Sequence, residues 1–194
     1  MDIAILAGGY GTRLKGLWDG PKCLVPYRGR PVIEHIVDKA LELNPRKIFL
    51  LLGHQASKVV AWREKYCETY RDVVPIIETE PKGTAAAIRN ALPLIKAPVL
   101  ILNGDTLPHY DLSAFISEFN DTTGRTIATF DTHGTYAGSA LFGAYGATTI
   151  WASSSKDLNT FVYGTTVRHV TVSGFLDVGT PEGFRKAQQS EMLE

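Results

Sequence analysis

The chain has 194 residues, enough for one substantial hydrophobic core and few for two independent ones. Twenty basic side chains balance twenty acidic ones and no long block of one sign occurs, which excludes a broad basic face for nucleic acid while leaving room for a small phosphate pocket. No run approaches the ~18 apolar residues of a membrane span, and no charged leader precedes an apolar stretch, so the expected place is the cytoplasm with no membrane partner. The two cysteines, Cys23 and Cys67, set no disulfide framework.

Residues 2–6, DIAIL, read as a strand that stops at a glycine loop. Residues 31–43, PVIEHIVDKALEL, place Pro31 at a first helical position, with Ile33, Ile36, Val37, Ala40 and Leu41 recurring at helical spacing. A strand is expected at 47–53, a helical stretch at 57–66 and a strand at 73–77. A helix at 84–95 follows, with Thr84 as its cap, and then a strand at 97–106 that breaks at Asn103 and Gly104. Continuously apolar strands alternating with helices imply parallel pairing with both faces covered. Residues 125–155 are rich in glycine and short β-prone runs, which predicts hairpins or edge strands attached to the sheet. GFLDVG at 174–179 returns as a strand, and residues 180–193 close the chain as a helix.

Open α/β sheets bind ligands beyond the carboxyl ends of their strands, which is where the loop after residue 6 falls. Glycines there let backbone N–H groups approach phosphate oxygens. The spacing rules out two familiar cradles. A dinucleotide fingerprint needs a third glycine where GYGTRL has Leu14, and a Walker loop needs glycine before and Ser or Thr after its lysine, whereas Lys15 lies between Leu14 and Gly16. A plain strand-to-helix turn is the structural alternative. Against it stand Thr12, Arg13 and the Pro21-Lys22 pair, cations suited to a polyphosphate.

LAGGYGTRL together with PKCLVPYRGRPVIEHIV resembles the signature of the sugar-phosphate nucleotidyltransferases, which join a nucleoside triphosphate to a sugar 1-phosphate and release pyrophosphate. ETEPKGTAAAIRNAL, VLILNGDT and FLDVGTPEGFRKAQ extend the resemblance in the family's order over most of the chain, and within the family it is most similar to bacterial heptose or mannose 1-phosphate guanylyltransferases. The resemblance implies a Rossmann-like three-layer α/β/α fold with a mostly parallel central sheet and a small mixed or antiparallel acceptor-side lobe. It implies a single domain, with residues 1–120 as the nucleotide-binding part, 121–175 as a shortened sugar-binding part, and 176–194 as a metal-ligand loop and C-terminal helix.

It also implies the site. Arg13, Lys22 and Asp105 are the expected catalytic residues, Arg13 on the leaving phosphates and Lys22 on the α-phosphate and the incoming phosphate. Asp105 and Asp177 are expected to hold Mg2+, a hard cation suited to carboxylate, phosphate and water oxygens. Leu6, Ala7, Gly8, Gly9, Gly11, Thr12, Glu78, Gly83, Thr84 and Asn103 complete the expected nucleotide site. A carboxylate at Glu78 can accept from guanine N1–H and its exocyclic amine, which favours GTP. TYAGSALF resembles the family's NAG segment with Tyr136 in place of the asparagine, so Tyr136, Ala137 and Gly138 join Lys22 as the expected sugar-phosphate site. The family's EKP element has no counterpart, which points to a smaller acceptor pocket or an unusual sugar. Uridylyl or thymidylyl transfer is the alternative chemistry, and a nucleotide-binding regulatory or scaffold protein is the non-catalytic alternative. A homodimer is the family's expectation. The five dispersed histidines and Cys23 are read as surface, hydrogen-bonding or packed residues.

Overall fold

The structure, a computed structural model, describes residues 1–65, 69–70, 72–80, 82–119, 125–164 and 166–191. Cys67 lies outside them. In chain order the elements are β1 (Asp2–Leu6), β2 (Pro26–Tyr27), β3 (Arg30–Pro31), α1 (Val32–Leu41), β4 (Lys47–Leu52), α2 (Ala56–Lys65), β5 (Val73–Ile77), α3 (Thr84–Ala91), β6 (Val99–Asn103) and β7 (Thr106–Pro108). They continue as α4 (Leu112–Ser117), β8 (Ile127–Phe130), β9 (Tyr136–Phe142), α5 (Ala144–Ala152), α6 (Leu158–Val162), β10 (Arg168–Thr171), β11 (Phe175–Asp177) and α7 (Pro181–Glu191).

Alternation along the strands builds two cores. Ile3 and Ile5 of β1, with Ile48, Leu50 and Leu52 of β4, face one side, where they meet Ile33, Ile36 and Val37 of α1, Val59 and Trp62 of α2, and Ala187 of α7. Ala4, Phe49 and Leu51 face the other, against Ala85, Ile88 and Ala91 of α3 and Ile150 of α5. Both sides are covered, which is why these strands read as unbroken apolar runs. The central sheet has seven strands in the order β10-β8-β9-β6-β1-β4-β5. β1 pairs in parallel with β4 and β6, β4 with β5, and β8 with β10, while β9 is antiparallel to both of its neighbours. This is the mostly parallel three-layer arrangement expected, with two small antiparallel ladders beside it, β2-β3 and β7-β11. Among the described residues no helix is long and apolar enough to cross a membrane.

Three local expectations are corrected. Residues 144–152 form a helix where their Gly, Thr and aromatic content suggested a hairpin. Gly146 and Ile150, one helical turn apart, are the positions buried against the sheet, and Gly146 lies directly on the Thr126 side chain, so packing overrides local preference. Pro31 stands at the cap position of α1 rather than inside it, because it is paired with Pro26 in the β2-β3 ladder. Thr84 does not cap α3. Gly83 holds the cap position at φ +105°, without a side-chain cap, and Thr84 is the first helical residue.

The hydroxyl of Thr84 is used in a latch instead. It donates to Asp157 Oδ1 (3.1 Å) and accepts from Leu158 N–H (2.7 Å), while the Ala85 N–H donates to the Lys156 carbonyl (3.1 Å) and Arg89 Nη1 to the Ser155 carbonyl (2.8 Å). The loop before α6 thus supplies acceptors that the first turn of α3 lacks within its own helix. A Cβ on Gly83 would overlap the Lys156 carbonyl oxygen. Gly83→Ala should therefore destabilise the fold by about 1–3 kcal/mol from backbone strain alone. It should also speed amide exchange at Ala85 and Leu158. A thermal melt and exchange rates equal to those of the wild type would contradict the latch.

Candidate active site

β1 ends at Leu6, level with Leu51 of β4 and Asn103 of β6, so three parallel strands deliver their carboxyl ends to one edge. The glycine loop crosses that edge and is tied down by Ala7 N–H to the Leu51 carbonyl (2.9 Å) and His54 N–H to the Gly8 carbonyl (3.0 Å). Gly11 then enters a short 3-10 turn, Thr12–Leu14, whose Leu14 is fully buried and anchors Arg13 at the rim. A second such turn, Lys22–Leu24, is held by buried Cys23. Burial pushes the Cys23 thiol up to about 12, which keeps it protonated and agrees with a packing role.

Lys22 lies along the glycine loop, its Cε 3.6 Å from the point a Cβ on Gly9 would occupy, and its Nζ reaches Asp105 Oδ2. Asp105 follows β6, and Asp177 ends β11. The β7-β11 ladder pairs Thr106 with Asp177, and Val178 N–H donates to the Asp105 carbonyl (2.9 Å), so the two carboxylates meet. Burial, and then the charge of Asp105, push the Asp177 carboxyl above its usual range; Arg13, the Gly179 N–H and Lys22 oppose the rise. Arg13 Nη1 stands 3.6 Å from Asp177 Oδ2. Gly179 leaves the space between these groups open: a Cβ there would lie 2.5 Å from Asp105 Oδ2, 2.9 Å from Asp177 Oδ1 and 3.0 Å from Lys22 Nζ.

The same edge opens into a cleft of about 460 Å³. Of the expected residues it is lined by Leu6, Ala7, Gly8, Gly9, Arg13, Lys22, Glu78, Gly83, Thr84, Asn103, Asp105, Tyr136 and Asp177. Gly11, Thr12, Ala137 and Gly138 are outside the lining. Ala137 is buried with its carbonyl accepting from Tyr110 Oη (3.3 Å), and Gly138 packs against the Thr106 side chain. Glu78 is held by Asn90 Nδ2 (2.7 Å), and partial burial raises its carboxyl above the ordinary value despite that bond and the charge of Lys82. Tyr136 is 8% exposed and its hydroxyl has no partner among the described residues. Burial pushes that phenol well above 10, so it stays a donor.

Sequence reasoning missed one wall of the cleft. Thr135, Asp157, Asn159, Tyr163 and Phe175 all line it. Asp157 followed by an apolar Leu158 and Phe161 is a readable helix start, but nothing in the local pattern shows that this short helix turns toward the cleft. Among the described residues no three His, Cys, Asp or Glu side chains form a cluster that could hold a metal ion.

Residues 3–143 match the family model described as nucleotidyl transferase. The bifunctional protein GlmU of Thermodesulfovibrio yellowstonii is 39% identical over 123 residues, a stretch that takes in 62% of this chain and 26% of that protein, so the match spans about a quarter of the relative. HddC from Yersinia pseudotuberculosis, in a crystal structure complexed with GMP-PN, superposes with a TM-score of 0.80 at 25% identity over 100% of this chain and 99% of its own. A UTP-bound UGPase from Acinetobacter baumannii shares the fold at 16% identity, with a TM-score of 0.72 over 96% of this chain and 91% of that one. The family match covers well over half of the chain, so the chain belongs to the sugar-phosphate nucleotidyltransferase family.

Proposed function

We propose that the protein transfers a nucleotidyl group from a nucleoside triphosphate, with GTP favoured, to a sugar 1-phosphate, releasing pyrophosphate. The observation that carries this reading is the convergence of Arg13, Lys22, Asp105 and Asp177 around the open space at Gly179, at the mouth of a cleft lined by the glycine loop. A sugar 1-phosphate is already an anionic nucleophile, so the reaction needs two anions held together more than it needs a strong base. One of its oxygens forms the new bond to the α-phosphorus as the bond to the pyrophosphate oxygen breaks. Arg13, more than half exposed at the rim, suits the leaving phosphates, and Lys22 suits the α-phosphate region. Glycine-loop N–H groups suit the polyphosphate.

The donor set at Gly179 fits Mg2+. Two carboxylates converge on one small volume, no third protein acid competes among the described residues, and phosphate and water oxygens would complete the coordination of a hard cation. Asp105 and Asp177 would hold it, and when bound it would supply charge neutralisation to the phosphates. Asp105→Ala or Asp177→Ala should lower turnover by roughly 10²–10³-fold, the range for losing one electrostatic group at a reacting centre. The assay is pyrophosphate release and product mass from a panel of sugar 1-phosphates with each nucleoside triphosphate and Mg2+. No product from any pair, with nucleotide binding indifferent to both substitutions, would favour a nucleotide-binding regulatory or scaffold protein instead. Masses of UDP- or dTDP-sugars would favour the alternative transfer.

Glu78 supports the choice of GTP. Its carboxylate can accept from guanine N1–H and the exocyclic amine only when ionised. Its value is raised, so the carboxylate protonates at a higher pH than the ordinary ~4.3, and GTP affinity should fall with pH from that higher point. Glu78→Gln should remove that pH dependence and reduce the preference for GTP over UTP by roughly tenfold, the scale of one lost bidentate base contact. Nucleotide affinities measured from neutral to acidic pH for both proteins check this, and an unchanged preference would assign Glu78 to the strand end alone.

A further inference from the structure

The wall missed by sequence reasoning carries one side chain with chemistry of its own. Asp157 precedes α6, and its Oδ1 accepts from Asn159 N–H (3.0 Å) and from Thr84 Oγ1 (3.1 Å). Both bonds go to one oxygen. Oδ2 has no protein donor among the described residues, and the residue is exposed on the cleft. Thr135, Tyr136, Asn159 and Tyr163 line the same cleft, and Tyr163 Oη accepts from Tyr136 N–H (3.0 Å), which ties α6 to the β9 side of the cleft. Among the described residues the basic side chains lining the cleft are Arg13 and Lys22, and both are engaged at the aspartate pair. The α6 side of the described lining therefore has hydroxyl and amide groups, aromatic rings and one fixed negative charge, and no basic side chain.

We propose that Asp157 is a specificity residue for the acceptor: its Oδ2 accepts from a sugar hydroxyl, and its charge selects sugar 1-phosphates that carry no second anionic group. The inference rests on the transferase reading above for the identity of the acceptor. A sugar carboxylate or second phosphate at this wall would bring a second negative charge toward the carboxylate of Asp157, and like charges repel. A neutral hydroxyl instead finds an acceptor already oriented by Thr84 and the α6 backbone, with little ordering left to do.

Asn separates this role from helix capping. Asn is as good a cap as Asp, so Asp157→Asn keeps the bonds from Asn159 and Thr84 while replacing the free oxygen with an NH2 donor and removing the charge. The experiment compares equilibrium binding of an aldohexose 1-phosphate and of the matching hexuronic acid 1-phosphate to wild type and D157N, at low ionic strength where screening is weakest. The wild type should prefer the hexose 1-phosphate by about tenfold, and D157N should narrow that ratio to about twofold or reverse it. Nucleotide affinity and the thermal melt should stay those of the wild type. If D157N melts early, D157S, which retains a capping oxygen and lacks the charge, replaces it in the same comparison.

An unchanged ratio in the variant, wild-type preference for the uronate, no binding of either sugar phosphate, or a change in nucleotide affinity in place of sugar affinity would each overturn the proposal. Binding discrimination that depends on Asp157, without turnover of any nucleotide and sugar pair, would sink the transferase reading and leave this one standing. Turnover with no such discrimination would do the reverse.

Discussion

Pairing of Thr106 with Asp177 across the short β7-β11 ladder forces two carboxylates into each other's field, and much of the surrounding structure answers that constraint. Like charges at partly buried positions are costly unless cations and N–H donors offset them. Lys22 reaches Asp105, Arg13 approaches Asp177, and the Gly179 N–H donates to Asp177 Oδ1 (2.8 Å). Each partner comes from a different part of the fold. Lys22 and Arg13 are positioned by two short turns whose buried residues, Cys23 and Leu14, lock them to the core, and Gly179 lies in the turn between β11 and α7. The glycine loop is the surface along which Lys22 travels to reach the acids. Phosphate and divalent-ion chemistry is what such a concentration of mixed charge at strand ends is suited to.

The sheet makes this possible by covering both of its faces. With α1, α2 and α7 on one side and α3, α5 and α6 on the other, the strand ends are the part of the sheet left open, and three parallel strands deliver loops to the same edge. The antiparallel β9 extends the sheet, and the turn that leads into it brings Thr135 and Tyr136 to the side wall, where α6 and the loop before it fold back on α3. The Thr84–Asp157 latch thus joins the proposed base-reading segment to the proposed acceptor wall.

Much of this was legible before any coordinates. The strands β1, β4 and β6 read as apolar runs because they are buried on both faces, and α1 reads as an amphipathic helix because it covers one side of the sheet. The family resemblance points to Leu6, Glu78, Gly83, Asn103 and Asp105, and all of them line the cleft. Ala137 and Gly138 are expected in the site from the likeness of TYAG to the family's NAG segment, yet side chains alternate along a strand. Ala137 faces the opposite side, and Gly138 is packed against Thr106. Residues 144–152 were misread because glycine and β-branched residues outweigh helical spacing in so short a stretch. There the decisive term is the close fit of Gly146 on Thr126.

What the sequence by itself determined is therefore the family, the layered fold and most residues lining the cleft along the glycine loop, since strand burial and motif spacing are written within short windows of the chain. Only the tertiary structure decided that Asp105 and Asp177 share one space with Lys22, that Thr84 latches a loop instead of capping a helix, and that Asp157, Asn159 and Tyr163 wall the cleft. These contacts join segments far apart in sequence, and their geometry comes from sheet pairing and helix packing, which no local pattern encodes.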